Sequence, residues 1–194
     1  MNKAQCRNKK MCMFGVSVFI LILIVAVILG LMAAPANPLT WLLVVVLLSV
    51  PFVYQKLAAK KYLDWKDEYR VGIDSIDQQH RKLVNLINQL QTAVDYSTGE
   101  EFEREALDEL VDYTKTHFSY EEGLMEQHDY PEFEPHRAQH QKMIKQVEDV
   151  LAEYEQDNET AMSNALDFLK DWLINHINGT DKEYSSYLID KGVK

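Results

Sequence analysis

"EFEREALDELVDYTKTHFSYEEGLMEQ", residues 101–127, places Phe102, Leu107, Leu110, Val111 and Phe118 at a three-to-four spacing, the period of an amphipathic helix. His117 and Glu121 lie one turn apart on it, beside Leu124 and Met125. One helix cannot bury its own apolar stripe, so the surrounding sequence must supply others.

It does. Upstream, "IDQQHRKLVNLINQLQTAV" repeats the pattern at Ile76, Leu83, Leu86, Ile87, Leu90 and Val94, with Asp74 or Ser75 available as cap, and "STGE" (97–100) breaks the chain before the next helix. Downstream, Pro131 and Pro135 mark a turn and the first turn of a third helix, which runs through Met143, Ile144, Val147, Val150 and Leu151. A fourth, "ETAMSNALDFLKDWLINHI", carries Leu166, Phe168, Leu169, Trp172, Leu173 and Ile177. Four amphipathic helices, short connections and no strand-like alternation predict an all-α fold, an antiparallel up-down four-helix bundle over residues 62–194.

Residues 1–61 read differently. Met13 to Ala34 is an uncharged run of 22 residues, and Pro38 to Ala59 is apolar but for Lys56 near its end. Each is long enough to cross a bilayer, which takes about 20 helical residues. The "PANP" between them allows only a hairpin. Residues 1–61 hold seven basic side chains (Lys3, Arg7, Lys9, Lys10, Lys56, Lys60, Lys61) and no acidic ones. All flank the outer ends of the hairpin, so the positive-inside rule puts both termini and the bundle in the cytoplasm, at the cell inner membrane. A cleaved signal peptide ending near Ala34-Pro35-Ala36 is the competing reading, but the run exceeds the ~7 to 15 residues of a signal core and a second span follows at once.

The remaining 133 residues carry all 30 Asp and Glu against 13 Lys and Arg, which excludes nucleic acid as a partner. Cys6 and Cys12 fall in the short tail of a reducing compartment, as free thiols. The Asn158 and Asn178 sequons would matter only in a lumenal domain.

Of six histidines, five fall on the apolar stripes: His80, His117, His136, His140 and His176. His128 sits in the turn before Pro131, as a solvent-facing loop residue, and Glu122 points to a solvated face. One inward histidine is ordinarily a satisfied core residue. Five would leave several ring nitrogens without partners, and a metal resolves that. Imidazole and carboxylate suit iron, zinc or manganese.

At this point "VGIDSIDQQH", "HFSYEE", "HRAQH" and "HINGTD" together resemble the hemerythrin family, particularly its bacterial members, over about Trp65 to Leu188. The related myohemerythrin is an up-down bundle. The resemblance implies a non-haem di-iron centre: His136, His140 and His176 on one iron, His80 and His117 on the other, Glu121 and Asp181 bridging, with a shared oxo or hydroxo group. It leaves one iron with an open position for dioxygen. Trp172 and Leu173 become candidates to line the oxygen pocket. His176 and Asp181 are five apart, about 140° out of line on a regular helix, and Gly179 between them would permit the needed distortion.

The implied function is reversible dioxygen binding, for carriage, storage or delivery at the membrane face, possible recipients being a membrane oxidase or oxygenase. A binder is expected rather than an enzyme, because ferritin-like oxidases use Glu-rich ligation with Glu-x-x-His motifs. The alternatives are an oxygen or nitric oxide sensor acting through a separate partner, and a di-iron peroxidase or nitric oxide detoxifier.

Overall fold

The computed structural model describes residues 3–96, 99–157 and 159–194; the side chains of 3–13, Ala58, Glu100, Val150 and 153–161 are not described. The expectations for the thiols of Cys6 and Cys12, for the Val150 side chain and for Asn158 lie outside the described residues. The described chain is entirely helical, without strands. It divides into two compact units, Asn2–Tyr62 and a larger one that includes Leu63–Lys194.

The smaller unit is two helices, α1 (Lys3–Ala33) and α2 (Pro38–Ala59). Within them Phe14–Ala33 and Pro38–Leu57 are long and apolar enough to cross a membrane, by length and composition. The turn is built from its sequence: Asn37 Oδ1 accepts the Leu39 amide at 2.9 Å, and Pro38 follows as the first helical residue, where its missing N–H costs nothing. Trp41 Nε1 donates to the Pro35 carbonyl at 2.9 Å. The helices approach closely at Gly30, where an added Cβ would stand 2.8 Å from Thr40 Oγ1.

In the larger unit four long helices follow: α3 (Asp74–Tyr96), α4 (Glu100–Gln127), α5 (Phe133–Asp157) and α6 (Glu159–His176). α3 packs on α4 and α6, and α5 packs on the same two, closing a ring. A short α7 (Lys182–Asp190) continues α6 through a π turn, Ile177–Asp181. Leu83, Leu86, Ile87 and Leu90 meet Leu107, Leu110, Met143, Val147, Leu166 and Leu169 in the core.

Two expectations about these helices change. Asp74 and Ser75 lie inside the first turn of α3 rather than capping it, since the Asp77 amide already bonds the Ile73 carbonyl at 2.9 Å. Phe102 is 53 % exposed, because it sits in the opening turn of α4, beyond the packed part of the stripe.

An arm before α3 fastens to that helix at two points. Asn88 clamps the Leu63 backbone with two hydrogen bonds, receiving its amide and donating to its carbonyl, each at 2.9 Å. Asp77 accepts the Val71 amide at 2.8 Å and the Arg70 guanidinium at 3.3 Å. Asp77 is one turn before His80, so this clamp also sets where that imidazole points.

Candidate metal centre

The seven residues of the expected ligand set arrive on five elements, His80 on α3, His117 and Glu121 on α4, His136 and His140 on α5, His176 at the end of α6 and Asp181 at the end of the π turn. All seven are buried. Two overlapping clusters result, Glu121 with His136, His140, His176 and Asp181, and His80 with His117 and Glu121. His128 joins neither; it caps α4, and its carbonyl accepts the Tyr187 hydroxyl at 3.0 Å.

The carboxylates divide their oxygens between the clusters. Glu121 Oε1 is 3.5 Å from both His80 Nε2 and His117 Nε2, while Oε2 is 3.5 Å from His140 Nε2 and 4.0 Å from His136 Nε2. Asp181 Oδ2 is 3.3 Å from His80 Nε2, while Oδ1 is 3.1 Å from His176 Nε2 and 3.8 Å from His136 Nε2. His140 Nε2 stands 3.0 Å from His136 Nε2 and 3.1 Å from His176 Nε2. Two nitrogens ~2.1 Å from one ion and at right angles are about 3.0 Å apart, so this spacing suits a shared metal.

Electrostatics agree with a metal-binding pocket. Burial pushes His117 well below its ordinary value, helped by the charge of His80. Burial likewise lowers His136 to about 4 and, with His136 and His176 beside it, His140 to about 2. These rings are neutral at pH 7, the form that ligates. Burial would also lower His80, but the nearby carboxylates of Asp181 and Glu121, 3.3 and 3.5 Å from Nε2, overcome it and hold the ring up at about 9. Burial raises Glu121, with the Asp181 charge adding to it; against its own burial, Asp181 is held well below the usual range by His176 and His80. Both nitrogens of His80, Glu121 Oε2 and both oxygens of Asp181 have no hydrogen-bond partner although buried. Buried polar atoms are rarely left so, and cations at the two clusters would satisfy all but His80 Nδ1.

Asp181 reaches the site through the π turn: five residues close one wide turn, so His176 and Asp181 come onto the same side despite their spacing. Gly179 is not what allows it. It does not adopt a positive φ, and a Cβ there would meet nothing within 4 Å.

Trp172 stacks on the His176 ring, 4.2 Å between centroids at 18°, and Phe118 on His140, 3.7 Å at 2°. Trp172 and Leu173 line an apolar cavity of about 10 Å³ with Phe118, Met143 and Leu169.

The sequence reading missed three residues. Glu122 is not on a solvated face: its side chain turns to α5, where Oε1 is 3.0 Å from His140 Nδ1 and Oε2 is 3.7 Å from Arg137 Nε. Gln79 Oε1 is 2.9 Å from His117 Nδ1. Buried Tyr184, on α7, donates its hydroxyl to Glu121 Oε1. Their positions one residue from a ligand, or three beyond Asp181, were the available signal.

Comparison with known proteins agrees with this geometry. Residues 71–188 match the family described as "Hemerythrin HHE cation binding domain". The bacteriohemerythrin of Stenotrophomonas maltophilia is 39 % identical over 123 residues, 63 % of this chain and 79 % of that protein. That of Clostridium acetobutylicum is 34 % identical over 124 residues, 62 % of this chain and 96 % of its own length. A crystal structure of wild-type hemerythrin superposes with a TM-score of 0.57 at 29 % identity, covering 65 % of this chain and 97 % of that one.

Proposed function

The chain belongs to the hemerythrin family, and from that premise we propose that it binds dioxygen reversibly at two non-haem iron ions beside a membrane. His136, His140 and His176 would hold one ion, His80 and His117 the other, and Glu121 and Asp181 would bridge them, together with an oxo or hydroxo group. The observation that carries this is the division of oxygens: each bridging carboxylate gives one oxygen to each group of histidines.

When bound, the ferrous pair supplies the electrons that reversible dioxygen binding requires. The protein supplies the rest. Neutral imidazoles, with carboxylates only in the bridging positions, fit a binder better than an enzyme. Tyr184 holds Glu121 by its hydroxyl, fixing the oxygen that faces His80 and His117. Phe118 and Trp172 cover His140 and His176 with aromatic surface, and with Leu173 they border a small apolar cavity beside those rings.

The same reading takes residues 1–61 as tail and two-helix anchor, and 62–194 as an antiparallel up-down bundle of α3 to α6. Support for the bundle is the closed ring of contacts and the short connections between successive helices. Support for the anchor is the outward-facing apolar surface of both helices, Phe14, Phe19, Trp41 and Phe52 among it, flanked by basic residues alone. On this reading the domain lies at the cytoplasmic face of the inner membrane, where dioxygen is enriched in lipid, and would carry, store or deliver it to a membrane oxidase or oxygenase.

The test is an optical spectrum of the iron-loaded full chain, taken without oxygen, with oxygen and after evacuation. A new visible band that appears with oxygen and vanishes on evacuation is expected. Steady consumption of oxygen without such a band would make the protein an enzyme and overturn the reading.

A further inference from the structure

The five histidines differ behind their inward-facing nitrogens. With each Nε2 turned toward the carboxylates, a neutral ring carries its proton on Nδ1 and donates it outward. His140 Nδ1 has Glu122 Oε1 at 3.0 Å, and Arg137 stands 3.7 Å from the other oxygen. His117 Nδ1 has only the neutral amide oxygen of Gln79, at 2.9 Å. His80 Nδ1 has no partner at all. One cluster is backed by a carboxylate and the other by an amide.

Resting on the dinuclear reading above, we propose that Glu122 is a positioning residue that, through His140, makes His136, His140 and His176 the stronger metal donors, so that their position fills before that of His80 and His117. A carboxylate accepting the Nδ1 proton draws it partly away and raises the electron density on Nε2, so the ring becomes a better ligand as well as a fixed one. An amide fixes the ring but adds no charge. Arg137 steadies Glu122 from the solvent side without reaching His140. Three imidazoles against two favour the same filling order, so the proposal is specifically about the Glu122 charge.

Glu122→Gln isolates that charge, because the amide keeps an acceptor oxygen of the same reach. The full chain in detergent is titrated anaerobically with Co²⁺ against a chromophoric chelator, giving two stepwise affinities. Glu122→Gln is expected to weaken the tighter step about 10- to 100-fold and leave the weaker step within about twofold. Gln79→Glu is expected to strengthen the weaker step and narrow the gap. Glu122→Gln leaving the tighter step unchanged, or lowering both steps equally, overturns the proposal. If that variant loses its helical circular dichroism, Gln79→Glu decides alone, and an unchanged weaker step overturns it. A wild-type chain that binds fewer than two Co²⁺ fails the dinuclear reading itself, a different result from two ions with an inert Glu122.

Discussion

The hairpin and the helical domain invert each other's chemistry. Along Phe14–Leu57 large apolar side chains face outward, Phe14 being 71 % exposed and Met32 79 %. In Leu63–Lys194 five imidazoles and two carboxylates face inward and are almost wholly buried. Water suits neither arrangement: exposed apolar surface of that extent calls for an apolar partner, and buried polar atoms without hydrogen-bond partners call for ions. The two regions teach one rule, that a surface or core wrong for water names the partner it was built for.

The comparison breaks most visibly if the inward polar groups can be removed without loss of metal. Asp181→Ala takes one bridging carboxylate from both clusters and is expected to drop bound iron from two per chain to below one. Elemental analysis after anaerobic loading checks it. His117→Ala, which strips a histidine from the pair formed with His80, is expected to abolish the oxygen-dependent band in the optical spectrum.

Exchanging the regions' environments gives the next effect. Residues 62–194 produced alone are expected to be soluble and to take up iron, while the full chain pellets with membranes and resists carbonate washing. Insolubility of the iron-loaded fragment would mean that the domain's own core is incomplete.

A pH titration of the metal-free domain sharpens the account of the core. His80 has a raised folded value, so its contribution is fully present below about 6.5 and is lost as pH rises through about 9. Its size is about 3 kcal/mol as an upper figure. His136 has the opposite sign: burial favours the neutral ring, and its contribution is lost as pH falls from 6.5 through about 4. Urea unfolding with chelator present is expected to show maximal stability near neutrality. Metal loading should flatten the alkaline limb, because an ion at Nε2 takes the place of the second proton on His80.

Single groups give the smallest effects. Tyr184→Phe removes the donor to Glu121 and is expected to cost about 2 kcal/mol in the metal-free protein, read as a lower unfolding midpoint. Gly179→Ala is expected to be neutral or to stabilise by about 0.4–1 kcal/mol, since the glycine uses no conformation that alanine lacks.

Periodicity made most of this legible in advance. Leu83, Leu110, Met143 and Leu169 announced the four helices, and five histidines in phase with them announced a shared site. The ligand roles needed the family resemblance as well, because spacing within a helix says which side chains share a face but not which faces meet. That is also why Glu122 was misread. Neighbouring positions on a helix diverge by about 100°, which sent Glu122 toward solvent, yet a long carboxylate beside a packed helix can still reach across to it. Gln79 escaped for the same reason, and Tyr184 because it lies on α7, past the four helices that the periodicity announced. Phe102 failed in the other direction, an apolar residue in phase but past the end of the packing.

Leu169, Leu173, His176, Ile177, Asp181, Tyr184 and Leu188 are all buried, and among them the two candidate ligands His176 and Asp181 are separated by 5. A spacing of 5 is one residue too many for two side chains to share a face of an α-helix, and the π turn absorbs it, with Tyr184 and Leu188 following as buried residues. In genetic terms the site depends on the length of this turn to a single codon. Deleting Asn178 or Gly179 would shift Asp181, Tyr184 and Leu188 together relative to His176, taking from their places both the carboxylate and the tyrosine that donates to Glu121. One mutational event in this turn would therefore disturb a candidate ligand and the residue that holds another in place.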